Sequence, residues 1–209
     1  MIEQGSPEWH AMRCGKVTAS RIADMLAKTK TGWGASRANY KAQLVAERLT
    51  GIVAEGYTNA AMEWGKEKEA EARAAYGFYT NEPVELVSFV NHPVMPMAGA
   101  SPDALVGAGG LVEIKCPNTA THIETLLGGS VPGKYQFQMQ WQMACTDRGW
   151  CDFVSYDPRM PEDMRLFVKR LERDEEAIAM IERETRAFLA EIDETVSQLT
   201  KMYRQQEAA

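Results

Sequence analysis

Apolar residues recur along this chain with two spacings, which divide it into predicted helices and strands. From Asp174 to about Tyr203 they return every three, four or seven positions, a pattern that predicts one long amphipathic helix. Between Lys134 and Thr146, aromatic and methionine residues alternate with glutamines, which is typical of a strand. Glutamine, methionine and alanine are nevertheless good helix formers, so the pattern alone leaves helix or strand open over 135–143.

Shorter patterned stretches give the remaining elements. Helices are predicted at 9–13, from Thr18-Ala19-Ser20 to about 27, at 38–49 and at 60–76, and strands at 84–90, 94–100, 151–156 and 164–169. Thr18 or Ser20 is the predicted cap of the second helix. Mixed strands and helices over 209 residues predict one α/β domain spanning residues 1–209, with a central mixed sheet flanked by helices.

Two apolar runs flank the glycine-rich segment Gly107–Gly110, which predicts a β-hairpin. The first run follows Asp103, and the second carries Glu113 and Lys115. Because residues i and i+2 of a strand share a face, Glu113 and Lys115 are expected to point the same way, with the apolar residues beside them pointing into a core. Asp103 lies across the hairpin, so two carboxylates and an ammonium group are predicted to converge.

Such a cluster suits phosphodiester hydrolysis. Two carboxylates can hold one or two Mg²⁺ ions, and the metal activates a water and stabilises both reacting oxygens. Lys115 would orient that water or neutralise charge on the scissile phosphate. The Pro-Asp … Glu-x-Lys spacing is typical of restriction-endonuclease-like nucleases. The alternative is a hairpin that carries only a surface ion pair.

Charge is unevenly distributed along the chain. The net charge is −6, yet residues 1–50 hold eight Lys/Arg against four Asp/Glu, and residues 171–209 hold five against ten. This predicts an electropositive N-terminal lobe that binds phosphates and an acidic tail that faces elsewhere. In the loop at 28–37, cations interleaved with a tryptophan suit a DNA backbone, although a merely solvated loop fits as well.

Cysteine usage and hydropathy set the compartment. The four cysteines form no Cys-x-x-Cys pair, which favours reduced core residues in a cytosol. No apolar run is long enough for a membrane span, and the N-terminal residues lack the features of a signal peptide. A carboxylate at Glu69, on a mostly apolar face of the 60–76 helix, requires a partner there.

Seven short motifs occur in a fixed order. They are Ser-Pro-Glu-Trp-His-x-x-Arg at 6–13, Thr-Ala-Ser at 18–20, Trp-Gly-Lys at 64–66 followed by Glu69, Ser-Pro-Asp at 101–103, Glu-x-Lys-Cys-Pro at 113–117, Gln-x-Gln at 138–140 and Tyr-Asp-Pro-Arg-Met at 156–160. In these motifs the chain resembles the viral-recombinase (YqaJ-type) exonucleases, and most closely the phage lambda Red type. The resemblance runs from about Ile2 to about Arg173.

This resemblance implies a fold and an activity. The fold is a restriction-endonuclease-like PD-(D/E)XK core, in which the 134–146 segment is a helix. The activity is a Mg²⁺-dependent 5′→3′ double-stranded DNA exonuclease that releases mononucleotides and leaves 3′ single-stranded overhangs for recombination. Mn²⁺ is expected to substitute, and two ions are expected when DNA is bound.

The resemblance also assigns roles to residues of this chain. Those nearest the chemistry are the metal ligands Asp103, Glu113 and the backbone carbonyl of Ile114, the water-positioning Lys115, and Gln138 on the scissile strand. Glu69 is the supporting acid, expected to contact Lys115 or a metal-bound water. Those around them are Arg13, Ser20 and Ser101 for the 5′-phosphate, Lys30 reaching into DNA, and Met62 wedging between the strands. The family has an arginine where Lys30 stands, and lysine cannot copy a planar bidentate contact.

Partners follow from the same resemblance. They are double-stranded DNA ends, two further copies in a homotrimeric ring, and a single-strand annealing protein, in the cytoplasm of a bacterial host of a phage or prophage. Two alternatives stay open. One is a related nuclease of different polarity or single-strand preference, and the other is a catalytically inactive DNA-end-binding scaffold for recombination.

Overall fold

Helices and strands alternate along the chain much as the hydrophobic pattern predicts. The structure, a computed structural model, describes residues 2–54 and 60–204, with only the backbone at 61, 62 and 204. The helices are α1 Pro7–Arg13, α2 Ile22–Met25, α3 Ala35–Thr50, α4 Ala60–Thr80, α5 Thr119–Gly128, α6 Gly133–Thr146 and α7 Glu175–Arg204. The strands are β1 Val17–Thr18, β2 Lys28–Thr29, β3 Gly32–Trp33, β4 Val84–Glu85, β5 Val90–His92, β6 Met95–Ala100, β7 Ala104–Val106, β8 Gly110–Lys115, β9 Trp150–Tyr156 and β10 Leu166–Glu172.

The predicted mixed sheet is present, and its five strands run in the order β10-β9-β8-β7-β4. Strands β8 and β9 are parallel, and the other neighbouring pairs are antiparallel. A second sheet of three strands, β1-β6-β5, lies beside it, with β1 parallel to β6. The α/β prediction is therefore confirmed, with the sheet divided in two.

The predicted strand at 84–90 is wrong as one element. It separates into β4, which pairs with β7, and β5, which pairs with β6 in the other sheet. Between them the Gln4 side chain donates a hydrogen bond of 2.9 Å to the Val87 carbonyl. The Val87 carbonyl is thus paired with a side chain at the point where the chain crosses from one sheet to the other.

Helix α6 settles the ambiguous segment in favour of a helix. Seven consecutive residues, Met139 to Cys145, are buried in the fold. This second half of α6 shows no amphipathic stripe, because each of its faces meets protein, whereas the first half has exposed residues. The chance alternation of glutamines with large apolar residues therefore imitated a strand pattern.

Helix α7 buries the stripe that its spacing predicts. Ile178, Ile181, Phe188 and Ile192 are buried, and the last three belong to one core cluster with residues of α2, α3 and β6. Tyr203, at the end of the predicted stripe, is 68% exposed instead. The helix begins after Asp174, whose carboxylate accepts hydrogen bonds from the first free backbone amides.

The acidic tail does not face away from the basic lobe as predicted. Glu191 of α7 accepts a hydrogen bond of 2.7 Å from Arg37, and Asp193 accepts one of 2.5 Å from Arg48. Arg37 is also buried in α3 and donates to the Met25 carbonyl at 2.8 Å. Part of the charge asymmetry is therefore spent within the fold, because the opposite charges pair where α3 packs on α7.

Two local predictions near the N-terminus are corrected. Thr18 is buried in β1, and its side chain makes no capping hydrogen bond. Its amide donates to the Tyr40 hydroxyl at 3.0 Å, and a 3-10 turn, Ala19–Arg21, follows. The predicted loop at 28–37 contains the hairpin β2–β3 and the first turn of α3. Helix α1 begins at Pro7, two residues before the predicted 9–13, and the Ser6 hydroxyl caps it by accepting from the Trp9 amide at 3.2 Å.

The cysteines behave as predicted for a reducing compartment. Cys116, Cys145 and Cys151 are buried, Cys14 is half-buried, and all four are free thiols. In the part of the chain that the structure describes, no helix combines the length and the apolar character needed to cross a lipid bilayer.

The Tyr-Asp-Pro-Arg-Met motif builds an anchor around Asp157. This fully buried carboxylate accepts hydrogen bonds from the Thr119 hydroxyl at 2.7 Å and from the Arg159 side chain at 2.7 and 2.9 Å. Burial alone raises the pKa of Asp157, but the bonds from Arg159 and Thr119 outweigh it and lower the pKa to about 2. The anchor ties the start of α5 to the end of β9.

This anchor predicts a loss of stability in acid. A carboxyl with a pKa lowered from 3.8 to about 2 on folding stabilises the protein above about pH 4, and that contribution disappears as the pH falls through 2. The expected size is about 2 kcal/mol of unfolding free energy. Urea unfolding from pH 5 to pH 2 measures it, with Asp157→Asn expected to flatten this part of the curve. An equal slope for wild type and variant would contradict the assignment.

Candidate active site

The catalytic hairpin forms where the glycine-rich segment predicts it. Strands β7 and β8 pair in antiparallel register, and Gly107 at the turn has a φ of +49°, which suits glycine. A Cβ atom on Gly110 would come within 2.1 Å of the Trp150 ring, so only glycine fits there. The Asp103 carboxylate precedes β7 and accepts a hydrogen bond of 2.6 Å from the Ile114 amide. The hairpin therefore delivers Asp103 to the middle of β8.

Glu113 and Lys115 share one face of β8, as their spacing predicts. The Lys115 ammonium forms an ion pair with Oε1 of Glu113. The residues on the opposite face, Val112 and Ile114, pack into the core under α4, where Tyr76 is buried. The three residues of the predicted triad thus converge at one end of the mixed sheet.

Burial and neighbouring charges shift the pKa values of groups in this cluster. Only 1% of Glu113 is exposed, and the pKa of Asp103 lies well above its ordinary value because of burial and the neighbouring Glu113 charge. Burial alone lowers the pKa of Lys115, but the Glu113 and Asp103 carboxylates raise it above its usual range. When both carboxylates are ionised, the buried Glu113 and the half-buried Asp103 carry more negative charge than the one ammonium offsets, and a cation would balance it.

Helix α6 supplies two amides to the same carboxylate. Gln138 donates to Oε1 of Glu113 at 2.6 Å, so the structure brings this predicted residue into the site. Gln142, which sequence reasoning missed, donates to Oε2 of Glu113 at 2.5 Å. Its spacing of four residues from Gln138 places both on one helix face and was the available signal.

Glu69 lies at the edge of the site on α4. Its partner is Arg73, which donates to its Oε1 at 2.9 Å, where a contact to Lys115 had been one expectation. The Glu69 charge also raises the pKa of Asp103, after the larger effects of burial and Glu113. The other expected contact, to a metal-bound water, stays a prediction.

Arg13 and Ser101 meet next to the triad. The Arg13 guanidinium donates to Ser101 Oγ at 3.1 Å, and Trp9, absent from the predicted site, donates to the same atom from its indole at 3.0 Å. The guanidinium also stacks on the Trp9 ring, 3.9 Å from its centroid. Burial lowers the pKa of Arg13 to about 10, which leaves the group charged at neutral pH. Ser101 precedes Asp103 by two residues, so the two groups of residues adjoin.

The remaining predicted DNA contacts lie further out. Ser20 is exposed in the 3-10 turn, and the bonds that join Arg13 to Ser101 do not include it. Lys30 is exposed at the tip of the β2–β3 hairpin. The Met62 side chain lies outside the described residues, so its predicted role stays a prediction.

A wide cleft opens onto these groups. Its volume is about 890 Å³, and Asp103, Glu69 and Trp9 line it together with Lys66 and Arg73. A second cavity of about 310 Å³ lies against Lys115 and is lined by residues of α5, α6 and β9. The cluster is thus open to solvent on the Asp103 side, as an enzyme acting on a polymer requires.

The donor set of the cluster suits a hard cation. Within residues 2–54 and 60–204, no three His, Cys, Asp or Glu side chains gather closely enough to form a metal site by themselves. Asp103 and Glu113 offer carboxylate oxygens, and the predicted main-chain ligand, the Ile114 carbonyl, would also be an oxygen donor. Oxygen ligands suit Mg²⁺ or Mn²⁺ rather than Zn²⁺, and the charge of the paired carboxylates fits that choice.

Comparisons with known proteins find relatives of this chain among exonucleases. A model of the YqaJ-like viral recombinase domain matches residues 8–149. The crystal structure of an alkaline exonuclease, LHK-Exo, from Laribacter hongkongensis is 51% identical, with a TM-score of 0.90 over 96% of this chain and 100% of that one. The same enzyme in complex with dAMP aligns with a TM-score of 0.91.

A more distant relative shares the fold alone. A phage-related exonuclease from Haemophilus somnus 129PT is 17% identical, with a TM-score of 0.70 over 88% of this chain and 96% of that one. A search of curated proteins finds no match. The likeness to LHK-Exo therefore carries most of the comparison.

Proposed function

The chain belongs to the YqaJ-like viral recombinase family, and from this membership we propose that it is a Mg²⁺-dependent 5′→3′ exonuclease of double-stranded DNA. It removes mononucleotides from the 5′-ended strand and leaves a 3′ single-stranded overhang for homologous recombination. The observation that carries the proposal is the convergence of Asp103, Glu113 and Lys115 on β8, with Asp103 lining an open cleft. The complex of LHK-Exo with dAMP supports a mononucleotide product.

The metal is assigned to the oxygen donors of the hairpin. Asp103, Glu113 and the Ile114 carbonyl would hold Mg²⁺, with Mn²⁺ as a substitute and two ions when DNA is bound. When bound, such an ion would supply Lewis-acid chemistry, lowering the pKa of a water and stabilising charge on the reacting oxygens. The ionised form of Asp103, which burial disfavours, is the form that such a cation selects.

The other side chains position what reacts. Lys115, held by its ion pair with Glu113, keeps its ammonium charged and directs it at the attacking water and the scissile phosphate. Glu69 faces the cleft from α4 and supports the same water. Gln138 is half-buried, so its amide turns from Glu113 to the scissile strand when DNA enters.

Polarity is assigned to the Arg13–Ser101 pair. A half-buried guanidinium and the hydroxyl that it contacts would make charge-assisted hydrogen bonds to a terminal phosphate. Ser20 joins this pocket when the phosphate is bound, while Lys30 and Met62 contact the duplex. A 5′-phosphate held at Ser101, which precedes Asp103 by two residues, would bring the first phosphodiester toward the proposed metal ligands.

An exonuclease needs a free DNA end, and the test of this proposal uses that requirement. A linear duplex and a covalently closed circle of the same sequence are incubated with the protein in Mg²⁺ or in EDTA. Release of mononucleotides from the linear DNA alone, and only in Mg²⁺, is the expected result. Cleavage of the circle would indicate an endonuclease, and binding without cleavage in Mg²⁺ would favour the inactive end-binding scaffold.

We propose that the active form is a homotrimeric ring around the DNA. A ring with basic inner surfaces lets a protein of net charge −6 stay on a polyanion, and its closure needs two different patches on each subunit. Light scattering at micromolar concentration is expected to give about three times 23.3 kDa. A mass near one subunit, with full nuclease activity, would exclude an obligate ring.

The overhang that this reaction leaves needs a second protein. A single-strand annealing protein in the bacterial cytoplasm would bind the exposed 3′ strand as it forms. The four free thiols fit that reducing compartment.

A further inference from the structure

A pair of glutamines holds both oxygens of the Glu113 carboxylate. Gln138 donates to Oε1 at 2.6 Å, and Gln142, one helical turn later, donates to Oε2 at 2.5 Å. Lys115 shares the Oε1 side. Because both amides project from the rigid helix α6, they fix the plane of a carboxylate that sits on the facing strand β8.

The orientation of the Gln142 amide follows from its two partners. An ionised carboxylate only accepts hydrogen bonds, so the NH₂ group of Gln142 must face Glu113. Its Oε1 then faces the Cys151 thiol, 3.9 Å away, which donates to it. Burial raises the pKa of Cys151 well above its ordinary value, which keeps this donor protonated. A chain of hydrogen bonds therefore runs from β9 through Gln142 to Glu113.

The two glutamines differ in what else they can touch. Gln138 is half-buried and can reach a DNA strand in the site. Gln142 is fully buried, so it has no access to substrate. A polar side chain in the core requires satisfied hydrogen bonds, and here they are spent on the catalytic carboxylate.

We propose that Gln142 is a positioning residue for the metal site, acting only through Glu113. It would fix the orientation of the carboxylate with which Glu113 binds a cation together with Asp103. The inference rests on the proposed function, since it presumes that Glu113 binds the metal. Loss of a hydrogen bond to a metal-ligating side chain commonly costs about 10- to 100-fold in metal affinity.

The experiment measures metal binding without DNA. The affinity for Mn²⁺ is determined by electron paramagnetic resonance for wild type and Gln142→Met, a variant of similar volume without the donor. The matched control is Gln140→Met, because Gln140 is also buried in α6 but bonds to the Glu172 carbonyl and the Asp174 amide. We expect about 10- to 100-fold weaker binding for Gln142→Met and wild-type affinity for the control.

Wild-type affinity in Gln142→Met would overturn the inference and leave the proposed function standing. If circular dichroism shows that this variant does not fold, Gln142→Asn decides, because it keeps a buried amide but withdraws it by one methylene. Weakened binding in Gln142→Asn supports the inference, and unchanged binding overturns it. A wild-type protein that binds no Mn²⁺ and cleaves no DNA would overturn the proposed function and the inference together.

Discussion

Replacing Asp103 with asparagine is expected to lower the turnover of duplex digestion by about 10³-fold or more. The amide cannot offer the anionic oxygen that a divalent cation needs, yet its carbonyl still accepts the hydrogen bond from the Ile114 amide. The hairpin therefore keeps its shape while the metal site loses a ligand. The measurement is release of labelled nucleotides from a linear duplex in saturating Mg²⁺, compared with wild type.

The stability of the same variant supplies the control. Burial and the Glu113 charge disfavour the ionised form of Asp103, so its charge destabilises the folded protein at neutral pH when no cation is bound. Asp103→Asn is accordingly expected to melt no lower than wild type in EDTA. Near-normal digestion by this folded variant would sink the assignment of Asp103 as a metal ligand.

Replacing Arg13 with alanine is expected to remove most of the preference for 5′-phosphorylated ends. A charge-assisted hydrogen bond is worth about 1.5–3 kcal/mol, which corresponds to a loss of roughly 10- to 100-fold in that preference. The affinity for the metal is expected to stay unchanged, because the Arg13 side chain bonds to Ser101 and not to Asp103 or Glu113. Matched duplexes with 5′-phosphate and 5′-hydroxyl ends measure the ratio.

Arg21→Ala is the matched control for this prediction. This substitution removes the same charge from the same lobe, but the Arg21 side chain bonds to Asp24 and Gln43 rather than to Ser101. The control is expected to retain the phosphate preference. Equal digestion of the two duplexes by wild type would mean that Arg13 and Ser101 form no phosphate pocket.

The centre of the site was predictable from sequence because its geometry is local. A glycine-rich turn between two apolar runs fixes the hairpin register, and the period of a strand fixes which side chains share a face. Asp103, Glu113 and Lys115 converge for these reasons alone. The contacts that extend the site depend on how separate elements pack, as with Trp9 on Ser101 and Gln142 on Glu113.

Long-range pairing also explains what the sequence left open in the fold. Arg37 carries a charge in a stretch that suggests DNA contact, but α7, more than a hundred residues later, places Glu191 beside it. The second half of helix α6, Met139 to Cys145, shows no helical period of apolar residues because protein surrounds it. In both cases the deciding partner is distant in the sequence, and local pattern contains no information about it.

The direction of digestion is the sharpest test of the proposed 5′→3′ exonuclease activity. Two linear duplexes of the same sequence carry a label on one strand, at its 5′-terminal nucleotide in the first and at its 3′-terminal nucleotide in the second. With a single turnover of bound protein in Mg²⁺, we expect immediate release of the 5′ label as a mononucleotide and retention of the 3′ label on the strand. Release of the 3′ label first would contradict the proposed 5′→3′ exonuclease.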